Sequence, residues 1–390
     1  MEDRRMNTLE LLDIVNAGET SRVQFKEAIT SADSLAAEIV AMANSSGGMI
    51  IVGVKDKTGE ITGLDYQKLQ EYGNLAGNTA TNNVLPLVYL ETEAVTFEKE
   101  KKNVLIIHVK EGINKPYKDR NLNVWVKQGS DKRKITDNTE LLRLYQAGGN
   151  LLADEMEVLN TSIENVDKDK VKSYLEKTVD NYENINLDFT QILNNINVIR
   201  NGKLTLGGLL FFGAEPQKFK PIFCIKAVSF FGNDIENTDY RSSRDIKGTI
   251  PELFEQGLEF LTANLKYTQQ GQNVNSLGKL EISKVALEEV LQNALIHRDY
   301  LKNSPIRLLI FDKRVELISP GKLPNSLTVE NIIFGNSVVR NNLLASYCVR
   351  TMLYRGLGSG VKRAIKEQPN IEFINDIEGE QFIVKIPRPQ

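Results

Sequence analysis

The sequence predicts an α+β protein of more than one domain, on three observations. Stretches of helical period and of strand period are mixed along the 390 residues. Polar breaks divide the chain into segments 8–150, 160–280 and 281–390, the break at 160–170 reading as a linker. A chain this long exceeds what one hydrophobic core usually serves. The composition, 41% hydrophobic and 25% charged, is that of a globular chain and argues against a disordered one.

The most informative element is a helix in segment 281–390. Leu287, Val290, Leu291, Ala294 and Leu295 fall on one face. Glu289, Asn293 and His297, four apart, form a polar stripe beside it. An acid and an amide one turn apart suit phosphate chemistry: the Asn293 oxygen can ligate Mg²⁺, and Glu289 can polarise a water. Residues 306–311 and 315–318 predict two strands joined at Asp312-Lys313-Arg314. Ser319-Pro320-Gly321 breaks the second strand, and Arg340-Asn341 follows. Gly356, Gly358 and Gly360 then open a helix over 361–367, where backbone N–H groups can approach a phosphate. The last strand is predicted at 381–386.

In this order the segment resembles the GHKL ATPase superfamily, most closely the HATPase subfamily described as RecG-related helicases or predicted transcriptional regulators. The residues that carry the resemblance are E-x-x-x-N-A-x-x-H-R-D-Y, the x-P-G-x-L-P turn, the R-N pair and G-x-G-x-G. It implies an α/β sandwich that binds ATP and Mg²⁺. Glu289 would be the water-activating acid and Asn293 the Mg²⁺ ligand. His297, Gly321, Arg340, Asn341, Gly356, Gly358 and Gly360 would line the nucleotide. One departure is plain: the superfamily places an Asp before the glycine of its adenine-reading turn, and this chain has Ser319-Pro320 there. No Gly-x-x-x-x-Gly-Lys-Ser/Thr run supports a helicase.

Segment 8–150 predicts a strand-like stretch over 18–26 and a helix over 34–42 capped by Asp33 or Ser34. Asn44-Ser45-Ser46-Gly47-Gly48 would stop that helix before a strand at 49–54. A turn at Thr58-Gly59, an alternating run at 104–109 that contains His108, and a strand at 123–127 follow. Between Lys110 and Lys134 the chain carries eight Lys/Arg against Glu111, Asp119 and Asp131, with Tyr117 and Trp125 among them. That interleaving suits phosphate contact and base stacking; the competing reading makes Trp125 a core residue and the lysines solvated.

Here the chain resembles the Schlafen AlbA-type domain, through Glu19, Phe25-Lys26, Ala43-Asn44-Ser45, Gly47-Gly48, Gly53-Val54-Lys55-Asp56 and Gly59-Glu60-Ile61-Thr62-Gly63. The resemblance implies nucleic-acid binding, DNA ahead of RNA, by Lys26, Lys115, Lys118, Arg120, Trp125, Lys127, Lys132, Arg133 and Lys134. Some relatives cleave RNA with three carboxylates. Those positions match Glu19, Gln24 and Asp56, so an amide stands where one acid is expected, which argues against metal-dependent cleavage.

Segment 160–280 reads as a mixed connector. It should have a helix at 171–177, strand-like stretches at 204–212 and 222–231, a charged loop around Asp239–Asp245, a helix at 250–265 and a loop at 269–278. The only two cysteines, Cys224 and Cys348, lie in apolar runs and read as buried thiols of a reducing compartment. Two histidines exclude a His-rich metal site. Neither a membrane-length apolar run nor a signal-like N-terminus is seen, and the chain stops without the winged helix of some relatives. The combined expectation is a cytoplasmic, homo-oligomeric, nucleic-acid-binding transcriptional regulator with an ATP module. The rivals are a Schlafen-like endonuclease gated by nucleotide and a non-catalytic assembly protein with two degenerate modules.

Overall fold

The computed structural model describes residues 6–56, 58–98, 102–181, 187–236, 239–268, 278–324, 327–352, 354, 356 and 358–389. It is a mixed α/β structure of two compact units, Met1–Leu151 and Leu152–Gln390.

The first unit is built on a four-stranded sheet in the order Val23–Lys26, Gly48–Val52, Lys102–Val109, Leu90–Phe97. The first two strands run parallel and the other pairings are antiparallel. The helix Ala32–Asn44 has its N-terminus held by Ser31, whose side chain accepts from Ser34 N–H, and not by Asp33 or Ser34. Its residues from Leu35 to Asn44 are all buried, and with the helix Tyr66–Asn82 it covers one face of the sheet. The helix Thr8–Ala17 places Leu11 and Val15 against Phe25 and Ile51 on the other. The Ala-Asn-Ser turn is a hub. Asn44 Nδ2 donates to the carbonyls of Tyr117 and Trp125 (2.9 Å each), and its Oδ1 accepts from Tyr117 N–H (2.7 Å).

The second unit departs from the expected division at 280. Its six-stranded sheet runs Tyr240–Ile246, Ile225–Phe230, Ile306–Ile310, Arg314–Pro320, Gln381–Pro387, Glu372–Asp376. The first two strands come from the expected connector. Ile225–Phe230 pairs in parallel with Ile306–Ile310, so one continuous sheet spans both segments. The helices Ile250–Asn264, Lys284–Ile296 and Gly360–Glu367 pack together on this unit's core. Along the central strand Ile306, Leu308 and Ile310 enter that core, while Leu309 faces Phe230, Phe311 and Ile318 on the opposite face.

Two connector elements differ from expectation. Residues 204–212, read as a strand, are the short helix Leu206–Phe212, buried throughout and started by the Thr205 side chain, which accepts from Gly208 N–H. A continuous apolar run carries no period that separates the two states. The charged stretch read as a loop is the edge strand Tyr240–Ile246. Its side chains pair sideways, Arg241 with Asp312 at 2.6 Å and Asp245 with Lys226, and such charges blunt an exposed edge. The helix predicted at 171–177 is Lys168–Thr178, and the stretch read as a linker before it holds the 3₁₀ turn Ile163–Asn165. Of the loop expected at 269–278, residues 269–277 lie outside the described residues. The helix Asn342–Thr351 starts on Asp154, a fully buried carboxylate whose Oδ2 accepts from Leu344 N–H at 2.9 Å. Burial raises its pKa to about 6, against the hydrogen bonds from Leu344 and Leu343. Among the described residues no helix is long and apolar enough to cross a membrane.

Candidate functional site

The helix Lys284–Ile296 presents Glu289 and Asn293 to a cleft. One turn apart, they sit on one face as their spacing requires. His297, the residue that ends the helix, continues the row. The opposite wall comes from Gly356, Gly358, Gly360 and Arg363, at the start of the helix Gly360–Glu367. Val290, Leu317, Phe373 and Phe382 line the apolar part, the two rings stacked with centroids 6.3 Å apart.

The glycines are there for close approach. A Cβ on Gly360 would lie 2.4 Å from Glu289 Oε2, and one on Gly358 would lie 2.1 Å from the Gly335 carbonyl oxygen. Gly358 also has φ +68°, a conformation that side-chain-bearing residues avoid. Glu289 is nearly buried and its Oε1 forms an ion pair with Arg363 Nη2. Arg363 Nε is buried without a hydrogen-bond partner. His297 Nε2 meets the Tyr354 hydroxyl at 3.1 Å. Burial first, then the neighbouring Arg340, lowers the His297 pKa to about 4, so its ring is neutral at pH 7. It can hydrogen-bond a ligand but brings no positive charge to a phosphate.

Arg340 and Asn341, for which a nucleotide role is expected, stand behind the lining of the cleft. Arg340 Nη2 donates to the Lys322 carbonyl at 2.7 Å, and its Nη1 donates weakly to the His297 carbonyl. Asn341 is fully buried and its Nδ2 donates to the Ile296 and Arg298 carbonyls, both at 2.8 Å. These are the orphan carbonyls at the end of the acid–amide helix. The Arg-Asn pair therefore fixes the end of that helix. Gly321 lines the cleft, with Asp299 and Arg340 packed behind it. Ser319, which stands near the expected adenine-reading acid, donates its hydroxyl to the Ala294 carbonyl at 3.0 Å. Its proton is thereby committed to the helix.

In the first unit, Glu19 and Gln24 meet, while Asp56 lies in the turn that follows Val54. Gln24 Nε2 donates to Glu19 Oε1, which also accepts from Phe25 N–H at 2.8 Å. Gln24 Oε1 accepts from Lys127 Nζ at 2.8 Å. The Lys127 side chain is fully buried, and its ammonium stands 3.7 Å from Glu38 Oε2. Burial lowers its pKa, opposed by the attraction of Glu38. Lys132 at 2.6 Å and Lys26 at 3.8 Å complete the ring around Glu38. Among the described residues no group of three His, Cys, Asp or Glu side chains is placed to hold a metal. A lysine ammonium supplies the positive charge where the expected carboxylate cluster would need a divalent ion. Glu38 was not singled out in the sequence; its signal is a lone acid inside the apolar run Ala36-Ala37-Glu38-Ile39-Val40.

The basic segment is largely neutralised within its own unit. Lys115 is buried and pairs with Glu111, Arg120 pairs with Asp33 at 2.6 Å, and Arg133 binds both oxygens of Glu140. Lys118 donates to the Tyr145 hydroxyl at 3.3 Å, and Lys134 is exposed. Trp125 follows the core reading: it packs against the cluster under the helix Ala32–Asn44, and its Nε1 donates to Asp119 Oδ2 at 2.8 Å. Although burial pushes the Asp119 pKa up, hydrogen bonds from Trp125 and Asn123 hold it below the usual range. His108 is likewise structural, paired with Glu93 at 2.7 Å.

Fold and site define a two-unit α+β protein whose second unit sets an acid–amide helix against a glycine loop. Parts of the chain match known domain families. Residues 19–136 match the family described as "Schlafen, AlbA_2", and residues 303–383 match "Putative ATP-dependent DNA helicase recG C-terminal". Residues 143–223 match a domain of unknown function. Among solved structures, the DIP2311 protein of Corynebacterium diphtheriae is 20% identical over 98% of this chain and 80% of its own, with a TM-score of 0.47. The N-terminal domain of a putative ATP-dependent DNA helicase RecG-related protein from Nitrosomonas europaea is 19% identical over 34% of this chain and 97% of its own, with a TM-score of 0.26. No curated protein matches the chain.

Proposed function

We propose that this chain is a nucleic-acid-binding regulator, acting on DNA in transcription, whose second unit binds ATP with Mg²⁺. The observation that carries the reading is the cleft: Glu289 and Asn293 on one helix face, opposed by glycines that exclude a Cβ, beside a stacked aromatic wall. The donor set fits a Mg²⁺-triphosphate. Mg²⁺ needs only one or two protein oxygens when phosphates supply others, and Asn293 offers one. Arg363 and the first turn of the helix Gly360–Glu367 offer positive potential to an anion. Bound there, the metal would neutralise phosphate charge, and Glu289 would orient the attacking water. The apolar wall would take a flat base; with the Ser319 proton committed, selection of adenine would rest on backbone groups and shape.

The two family descriptions support nucleic acid as the partner. Of the basic residues expected at such an interface, Arg120, Arg133 and Lys134 are exposed and Lys118 is partly so. Exchanging an exposed ion pair for a phosphate costs little, since such pairs are worth about 0–1 kcal/mol. Lys115 is buried, the Lys127 side chain is enclosed and Trp125 packs on the core cluster, which favours structural roles for the three. The test is calorimetric titration of the full chain with ATP and Mg²⁺, repeated with a duplex DNA, a single-stranded DNA and an RNA oligonucleotide. The reading expects nucleotide binding that Asn293→Ala weakens, and duplex affinity that falls steeply with salt and changes when ATP is present. Absence of heat with any purine nucleotide at millimolar concentration would remove the ATP module from the reading.

A further inference from the structure

The acid assigned to water activation is held by its neighbour. Arg363 pairs with Glu289 Oε1, and Gly360 brings the start of its helix against Glu289 Oε2. Ser359, at the N-cap position of that helix, makes no side-chain capping bond. The Glu289 carboxylate is thus an anion lying against a helix start and a guanidinium, the two groups best suited to a phosphate. Arg363 Nε remains buried with its proton undelivered. This side chain, which lines the cleft, therefore has donor capacity that the pair with Glu289 does not use.

We propose that Arg363 is an exchange latch: it holds Glu289 in the resting protein and passes to the terminal phosphate of a nucleoside triphosphate on binding. The inference rests on the nucleotide reading above and adds its regulation. A guanidinium presents a fixed fork of donors and cannot give the same face to two anions at once. A terminal phosphate carries more charge and more acceptor oxygens than a carboxylate, so it takes the fork. The displaced Glu289 is then an unlatched carboxylate beside the phosphate that needs a water. A ligand without that end group leaves the latch closed. Arg363 is in this sense a positioning residue, coupling occupancy of the site to readiness of its acid.

The experiment is calorimetry on the full-length protein with ATP·Mg²⁺ and with adenosine, using wild type, Glu289→Gln, Arg363→Ala, the double variant and Arg363→Lys. Far-UV circular dichroism checks that each is folded. The latch expects Glu289→Gln, which removes the competing charge, to tighten ATP about fivefold, a gain larger than any it makes for adenosine. Arg363→Ala should weaken ATP roughly tenfold, with Arg363→Lys between the two. Without Arg363, the gain from Glu289→Gln should shrink, because nothing remains to be released. An equal or larger gain in the Arg363→Ala background signifies simple repulsion between Glu289 and the nucleotide and overturns the latch, while the nucleotide reading stands. ATP binding unchanged by Glu289→Gln overturns it as well. If every folded variant, wild type included, ignores ATP, the nucleotide reading falls and takes the latch with it.

Discussion

Asn341→Ala separates a residue that shapes the site from one that touches a ligand. The buried amide donates to the carbonyls of Ile296 and Arg298, while its own Oδ1 has no partner. Truncation removes two hydrogen bonds worth about 1 kcal/mol each and leaves carbonyls in a dry environment, at about 1–3 kcal/mol apiece when nothing replaces the donor. Relief of the unpaired Oδ1 and partial repacking offset some of this, leaving a loss on the order of 2–4 kcal/mol. In a unit of this size that is a fall in Tm of roughly 5–15 °C. The assay is thermal denaturation followed at both units, with nucleotide titration under conditions where the variant is folded. The expected result is a lower midpoint for the second unit and an affinity within about threefold of wild type. A Tm within about 2 °C of wild type together with tenfold weaker binding would refute the structural role and make Asn341 a nucleotide ligand.

Gly360→Ala should remove nucleotide binding with little effect on stability, since its Cβ falls 2.4 Å from Glu289 Oε2 in the cleft; calorimetry reads this, and unchanged affinity would mean that the loop does not close on the acid. Gln24→Glu should create no divalent-metal site, because Lys127 already lies 2.8 Å from that position and would pair with the new carboxylate; a Mn²⁺ titration that shows a stoichiometric site would count against this. Reversing Arg133 and Lys134 to Glu should lower the salt dependence of DNA binding, whereas Lys132→Glu should destabilise the fold by placing an acid against Glu38, and denaturation midpoints tell the two apart. The buried Asp154 and the half-buried His297 give the second unit opposing pH responses. His297, depressed to about 4, loses stability as pH falls from about 6.5, since the unfolded ring takes the proton first; Asp154, raised to about 6, gains stability over pH 6 to 4, since the folded carboxyl takes it first. His297→Asn should therefore become more stable relative to wild type between pH 7 and pH 5, at up to about 1.4 kcal/mol per unit, and parallel profiles would contradict the assignment.

The legible parts of the sequence were those in which local spacing and chemistry agree. Glu289 and Asn293 could be placed on one face because four residues make one helical turn, and the glycine loop because a missing Cβ signifies close approach. Three kinds of information were not legible. The apolar run 206–212 has no period, so helix and strand look alike. Tyr240–Ile246 has no buried face, so nothing in its pattern marks a strand; its partner Ile225–Phe230 defines it. Partnership across long separations was hidden too. Lys127 meets Gln24, Arg363 meets Glu289 and Asn341 meets the end of a helix more than forty residues earlier, and each pairing changes the role that the residue type suggests.

The parallel pairing of Ile225–Phe230 with Ile306–Ile310 has a bearing on inheritance and synthesis. Kinship, as matched over residues 303–383, marks a shorter segment than hydrogen bonding does. Cut out alone, that segment would turn an interior strand into a bare hydrophobic edge, the kind of surface on which chains stick to one another. A recombination that exchanged it between relatives would have to carry the upstream strands along, or find a host whose strands accept the same register. On the ribosome the upstream strands must wait for their partners, and the last one to arrive, Gln381–Pro387, lies between two others. The acid–amide cleft can thus exist only once the whole unit has been made.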